Sequence, residues 1–147
     1  MKRQHPQGTQ SMSKYVAIST PIGILRGRNA IYLDAATLSN NCSTLELSGE
    51  FNCHLASKPL TNTRWQRYRI AFHNVIALQM IELDTWESLP QGSEGESCFD
   101  ECIDSAWLAQ MGGKATAEHR HFVVWTYDDV FGVICKGYEL TMLAARA

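Results

Sequence analysis

From Tyr15 onward the chain consists of short apolar runs that alternate with polar positions, the period-2 pattern of half-buried strands. YVAIS (15–19) and AIYLD (30–34) are β-branched or aromatic runs separated by Pro21, Gly23 and Gly27, which predicts two strands with a loop between them. In STLELSGEFNCHL (43–55), a hairpin with its loop at Ser48, Gly49 and Glu50 would put Leu45 and Leu47 on one face with Phe51 and Cys53. Glu46, Asn52 and His54 would then face water. RWQRYRIAF (64–72) alternates Trp65, Arg67 and Arg69 with Arg64, Gln66 and Tyr68. It runs through His73 and Asn74 into VIALQMIEL (75–83), as two strands or as one bent strand with a bulge.

LPQGSEGES (89–97) has the Gly, Ser, Pro and Glu content of a loop. After it, Phe99, Ile103, Trp107 and Met111 recur every four residues, with Ser97 placed to cap and Gly112-Gly113 placed to stop. This predicts a helix over about 97–111, with Asp100, Glu101 and Asp104 favourably set in its first turns. In AEHRHFVVWTYDDVFGVICKGYEL (117–140), a hairpin turning at Asp128-Asp129 puts Phe122, Val124 and Thr126 on one face with Phe131, Val133 and Cys135. His121, Val123, Trp125 and Tyr127 share the other face with Val130, Gly132, Ile134 and Lys136. Both faces are apolar, so this hairpin is expected to be central and covered on both sides.

The pattern therefore predicts an α+β protein: a bent antiparallel β-sheet of six to eight strands with one principal helix (about 97–111) packed against it. The 147 residues suit one domain, 15–147, preceded by a flexible N-terminal tail over 1–14. The start of the chain lacks an apolar signal core, no run reaches the length of a membrane span, and the cysteine count of five is odd, so a reducing cytoplasm is the expected compartment. Net charge is only −2, yet residues 1–74 carry nine Lys/Arg against three Asp/Glu, and residues 75–147 carry four against twelve. Interleaving of the two halves in one sheet would mix these charges. Segregation would leave an acidic surface able to attract a basic partner.

Several side-chain groupings admit a chemical reading. His119 and His121, two apart, together with Cys98 and Cys102 have the composition of a zinc site, but the spacing matches no finger or ribbon, so no metal and no cofactor is expected. Cys135 with His121, and Cys53 with His54, point to opposite faces of their strands and so do not form nucleophile–base pairs. Glu82 with Asp84, and Asp128 with Asp129, read as surface carboxylates, and Gly112-Gly113-Lys114 as a helix stop. RWQRYR interleaves arginines with aromatics as nucleic-acid binders do, yet the negative net charge argues against nucleic acid, and a solvated strand face with Trp65 or Tyr68 reaching the core is expected. The function expected is a non-catalytic binding module for a protein partner or for self-association, with no membrane contact. The alternative is a small-molecule pocket, whether merely binding or enzymatic, drawn from His73, Glu82, Trp107, His121, Trp125 and Tyr127, with His121 or His73 as its polar group.

Overall fold

The computed structural model describes residues 14–60, 63–89 and 95–145. Among these, nine strands form two antiparallel sheets. The strands are β1 (Lys14–Ala17), β2 (Ile31–Ser39), β3 (Thr44–Asn52), β4 (Trp65–His73), β5 (Ala77–Glu82), β6 (Phe99–Ile103), β7 (Arg120–Trp125), β8 (Asp129–Cys135) and β9 (Gly137–Met142). The five-stranded sheet runs β1-β6-β7-β8-β5 and the four-stranded sheet β2-β3-β4-β9. Helix is confined to two short pieces, α1 (Leu83–Ser88) and α2 (Ala106–Ala109), and a 3-10 turn over Cys53–Leu55. The α+β class with a mainly antiparallel sheet therefore holds, with the single bent sheet replaced by two. The tail expected over 1–14 lies outside the described residues except for Lys14, which opens β1.

The sheets pack face to face through aromatic side chains that alternate inward. Phe99, Phe122, Val124, Phe131 and Val133 come from the five-stranded sheet, and Leu45, Leu47, Phe51, Tyr68, Ile70 and Phe72 from the other. Phe72 lies across the boundary, its ring centroid 6.0 Å from Phe122 and 6.3 Å from Phe99. Each such side chain contributes roughly 1.5–3 kcal/mol by leaving water. In RWQRYR it is Tyr68 that enters the core, stacked on Phe51 at 4.2 Å, while Trp65, Arg67 and Arg69 face outward.

The hairpin of β7 and β8 has the expected facing. Phe122 pairs with Val133 and Val124 with Phe131 on the inner face, while His121 pairs with Ile134 and Trp125 with Val130 on the outer one. Its position is central in the sheet, and Thr126 closes the turn through hydrogen bonds with Asp129.

Two other expectations are corrected. Ser48, Gly49 and Glu50 are not a loop, because β3 passes straight through them and the hairpin turns earlier, at Asn40, Asn41 and Cys42, all with positive φ. Gly49 serves instead a bulge in β2 between Leu33 and Ala35, where a Cβ would overlap the Tyr32 carbonyl. The helix predicted over about 97–111 survives only in its last turn, α2. Residues 99–103 are a strand because β1 and β7 flank them and supply partners on both sides. Asp104, at φ 56°, breaks the strand, and Ser105, not Ser97, caps the helix by accepting the Leu108 N–H.

The topology also separates the halves of the chain. The four-stranded sheet takes β2, β3 and β4 from the basic half, the five-stranded sheet takes β5 to β8 from the acidic half, and each borrows one terminal strand from the other half. The charges nevertheless mix: the strands of each sheet carry four acidic and two basic side chains, and Arg26 pairs with Glu96 and Arg28 with Asp84 across the two halves.

Candidate cleft on the outer face of the five-stranded sheet

The alternation that sends Phe99, Phe122 and Phe131 inward sends Cys102, His121, Val123, Val130 and Gly132 outward, together with Tyr15 on β1 and Gln79 on β5. Outward apolar side chains need a cover. Two short helices supply it: α1, started by Glu82, brings Trp86, and α2, started by Ser105, brings Trp107. Between the helices and the sheet lies a cleft of about 410 Å³ lined by Tyr15, Gln79, Trp86, Trp107, His121 and Gly132 among others.

His121 lies on the cleft floor, with Tyr15 and Cys102 also in the lining. Its Nδ1 lies 2.7 Å from Ser105 Oγ, and its ring meets Trp107 edge to face at 5.1 Å. Ser105 Oγ accepts the Leu108 N–H and shares one proton with His121 Nδ1, the direction of that bond being set by the tautomer of the imidazole. Burial pulls the His121 pKa down to about 4, so the ring is neutral at pH 7. Gly132 keeps the space beside it open. A Cβ there would sit 3.3 Å from the Trp107 ring, 3.5 Å from His121 Nε2 and 3.7 Å from Gln79 Oε1, so three groups of different character converge over a bare backbone.

The depressed value gives a pH dependence of known sign. The unfolded chain takes up a proton at His121 near pH 6.5, and the folded chain only near 4, so protonation favours unfolding. Relative to a His121→Asn variant, the wild type is expected to lose roughly 3 kcal/mol as pH falls from 6.5 to 4, and nothing above that window. Urea midpoints of the two proteins across the range measure this, and parallel curves would show that the imidazole is solvated.

The other sequence candidates are dispersed. Trp125 lies on the same outer face, 5.2 Å from Tyr15 and 6.5 Å from Trp86, and borders a second hollow of about 560 Å³ with Leu83 and the Gly95–Cys98 segment. There Arg26 is engaged with Glu96, Arg28 with Asp84, and Cys98 Sγ with the Gly27 carbonyl, while the buried Trp125 Nε1 makes no hydrogen bond among the described residues. Tyr127 is part of an exposed array, stacked on Tyr32 and covered by Arg28, with Trp65 at the far edge of Tyr32 and Arg64 over Trp65. His73 is half-exposed on the other sheet, 3.5 Å from Glu139. Glu82 caps α1, accepting hydrogen bonds from Asp84 N–H, Thr85 N–H and the Thr85 hydroxyl, which hold its carboxyl below the usual range.

His119 precedes β7 and accepts the Thr116 N–H, and among the described residues no three His, Cys, Asp or Glu side chains gather as metal ligands do. Cys135 and His121 do lie on opposite faces of the hairpin, as expected, and burial pushes the Cys98 and Cys135 thiols up to about 11. One residue grouped with His121 from the sequence does lie beside it, though on a strand and not on a helix. Cys102 pairs with it directly across β6 and β7, a cross-strand register that reading residues 97–111 as a helix does not contain.

No protein-family model matches the chain, and no curated protein matches it. Among solved structures, the crystal structure of an uncharacterized protein from Neisseria gonorrhoeae aligns with a TM-score of 0.41 over 90% of this chain and 99% of that chain, at 10% sequence identity. Within the described residues no helix is long and apolar enough to cross a membrane.

Proposed function

We propose that the protein binds a small, flat, largely apolar molecule in the cleft between Trp86 and Trp107, with His121 as its hydrogen-bonding anchor. The observation that carries this reading is the convergence of Trp107, His121 Nε2 and Gln79 Oε1 over Gly132. Aromatic walls supply area and stacking, and in the tautomer of this proposal, with the His121 proton on Nε2, a neutral N–H beside an amide oxygen supplies orientation. A heteroaromatic ring with an acceptor next to a donor meets both polar groups at once. A volume of about 410 Å³ is within the range of small-molecule sites.

Indole emission reads the cleft directly, because Trp86 and Trp107 form its walls. Titration with adenine or nicotinamide, each carrying ring acceptors and an amino or amide group, is expected to change that emission more than titration with toluene, which offers neither donor nor acceptor. Gly132→Val fills the space over the backbone and is expected to weaken binding at least tenfold, about 1.4 kcal/mol, with the circular dichroism spectrum retained. Binding untouched by this substitution, or no response to any of the three probes, would overturn the assignment.

A further inference from the structure

Sheets that end in an open strand need protection against pairing with other chains, usually by a charge, a proline, a bulge or brevity. Three of the four edges among the described residues have one: β1 carries Lys14, β2 is bulged between Leu33 and Ala35, and β9 carries exposed Glu139 at its middle. Edge β5, ALQMIE, has no charge before its last residue, no proline, and an unbroken register with β8. Leu78 and Met80 on it are 37% and 58% exposed, although they lie on the inner face with Val133 and Phe131.

We propose that the protein forms a two-fold dimer in which β5 pairs antiparallel with β5 of a second copy, joining two five-stranded sheets into one. The backbone fixes which groups are available. Leu83 N–H bonds to the Asp128 carbonyl, so by alternation Ile81, Gln79 and Ala77 point to β8, while Leu78 and Met80 present N–H and C=O outward. An axis through Gln79 places Leu78 opposite Met80 of the second copy, and Met80 opposite its Leu78, in hydrogen-bonded pairs that cover both exposed side chains. Ala77 then faces Ile81, and each Glu82 lies at an opposite end of the ribbon, away from its like. Shifting the axis to Met80 sets Glu82 against Leu78, which disfavours that register. A strand whose apolar residues pair with themselves about one central residue, with no charge between Ala77 and Ile81, fits its own copy better than an unrelated acidic or basic segment.

The pairing is independent of ligand binding and is tested without ligand. Sedimentation of the full chain is expected to give twice the chain mass, and Met80→Lys, which adds an ammonium group near the axis in each copy, is expected to return it to the monomer. Met80 is exposed, so this substitution leaves the core intact, and hydrogen exchange adds a second reading: Leu78 and Met80 amides are protected in the dimer and exchange freely in the variant. Gln79 occupies the non-hydrogen-bonded position on the axis, where Cα atoms approach to about 4.5 Å, within disulfide reach. In a Cys42→Ser background, which removes the exposed native thiol, Gln79→Cys is expected to form a covalent dimer on oxidation, while Thr37→Cys on edge β2 is not. A wild type that sediments as a monomer at every concentration would overturn the proposal. So would a dimer that survives Met80→Lys or that Gln79→Cys fails to cross-link.

Discussion

Replacing Asp100 by Ala is expected to destabilise the protein by roughly 3–5 kcal/mol, since two backbone N–H groups and a hydroxyl lose their acceptor at once in a site closed to water. Asp100 is completely buried, and its carboxylate accepts the Glu96 N–H, the Ser97 N–H and the Ser97 hydroxyl. Burial raises its pKa despite these bonds, so the site holds the charge under strain from desolvation and depends on every donor. The near-isosteric Asp100→Asn does not rescue it, because the new NH₂ turns one acceptor into a donor facing other donors. Urea denaturation reads both variants, and an unchanged midpoint for Asp100→Ala would mean that water reaches the turn. The same Ser97–Asp100 spacing suggests a helix cap in the sequence; here the two side chains close a non-helical turn leading into β6.

Gly49→Ala is expected to cost about 3 kcal/mol, the upper range for overpacking, because the added methyl meets a backbone carbonyl and not a yielding side chain. The Tyr32 carbonyl has little freedom to move away. It accepts the Tyr68 hydroxyl at 3.0 Å, and Tyr68 is stacked on Phe51 in the core. Thermal unfolding checks this, with a loss of several degrees expected at this chain length. A Gly112→Ala control, where nothing lies within 4 Å, is expected to change little. Equal midpoints for the two variants would show that the bulge can relax.

These two positions also show what the sequence could and could not reveal. The β7–β8 hairpin, with its facing and central place, was legible because both faces are apolar and a polar turn separates them. Gly49 was misread because a glycine between two alternating arms signals a turn as readily as a close approach from a neighbouring strand. Only the bulge in β2 distinguishes them, and it lies in another segment. Phe99, Ile103 and Trp107 satisfy the helical period, yet Phe99 and Ile103 equally satisfy the strand period. The decision was made by hydrogen-bonding partners on β1 and β7, which a local pattern does not contain. The cleft was half legible. His121 and Trp107 were both named and Gly132 was placed on the face of His121, but Tyr15, Gln79 and Trp86 come from three further stretches of chain and meet them only through the strand order.

The exchange of terminal strands between the sheets bears on how the chain reaches this structure. β1 has to wait for β6 and β4 for β9, so neither sheet can close until the last third of the polypeptide is available. Loops of that length carry their entropy before any contact rewards it, which places the chain among slow folders, in the millisecond to second range of strand-rich topologies. During synthesis on the ribosome, β1 would spend the longest time without a partner. Its exposed Val16 and open backbone are then the surface on which a holding chaperone has most to gain.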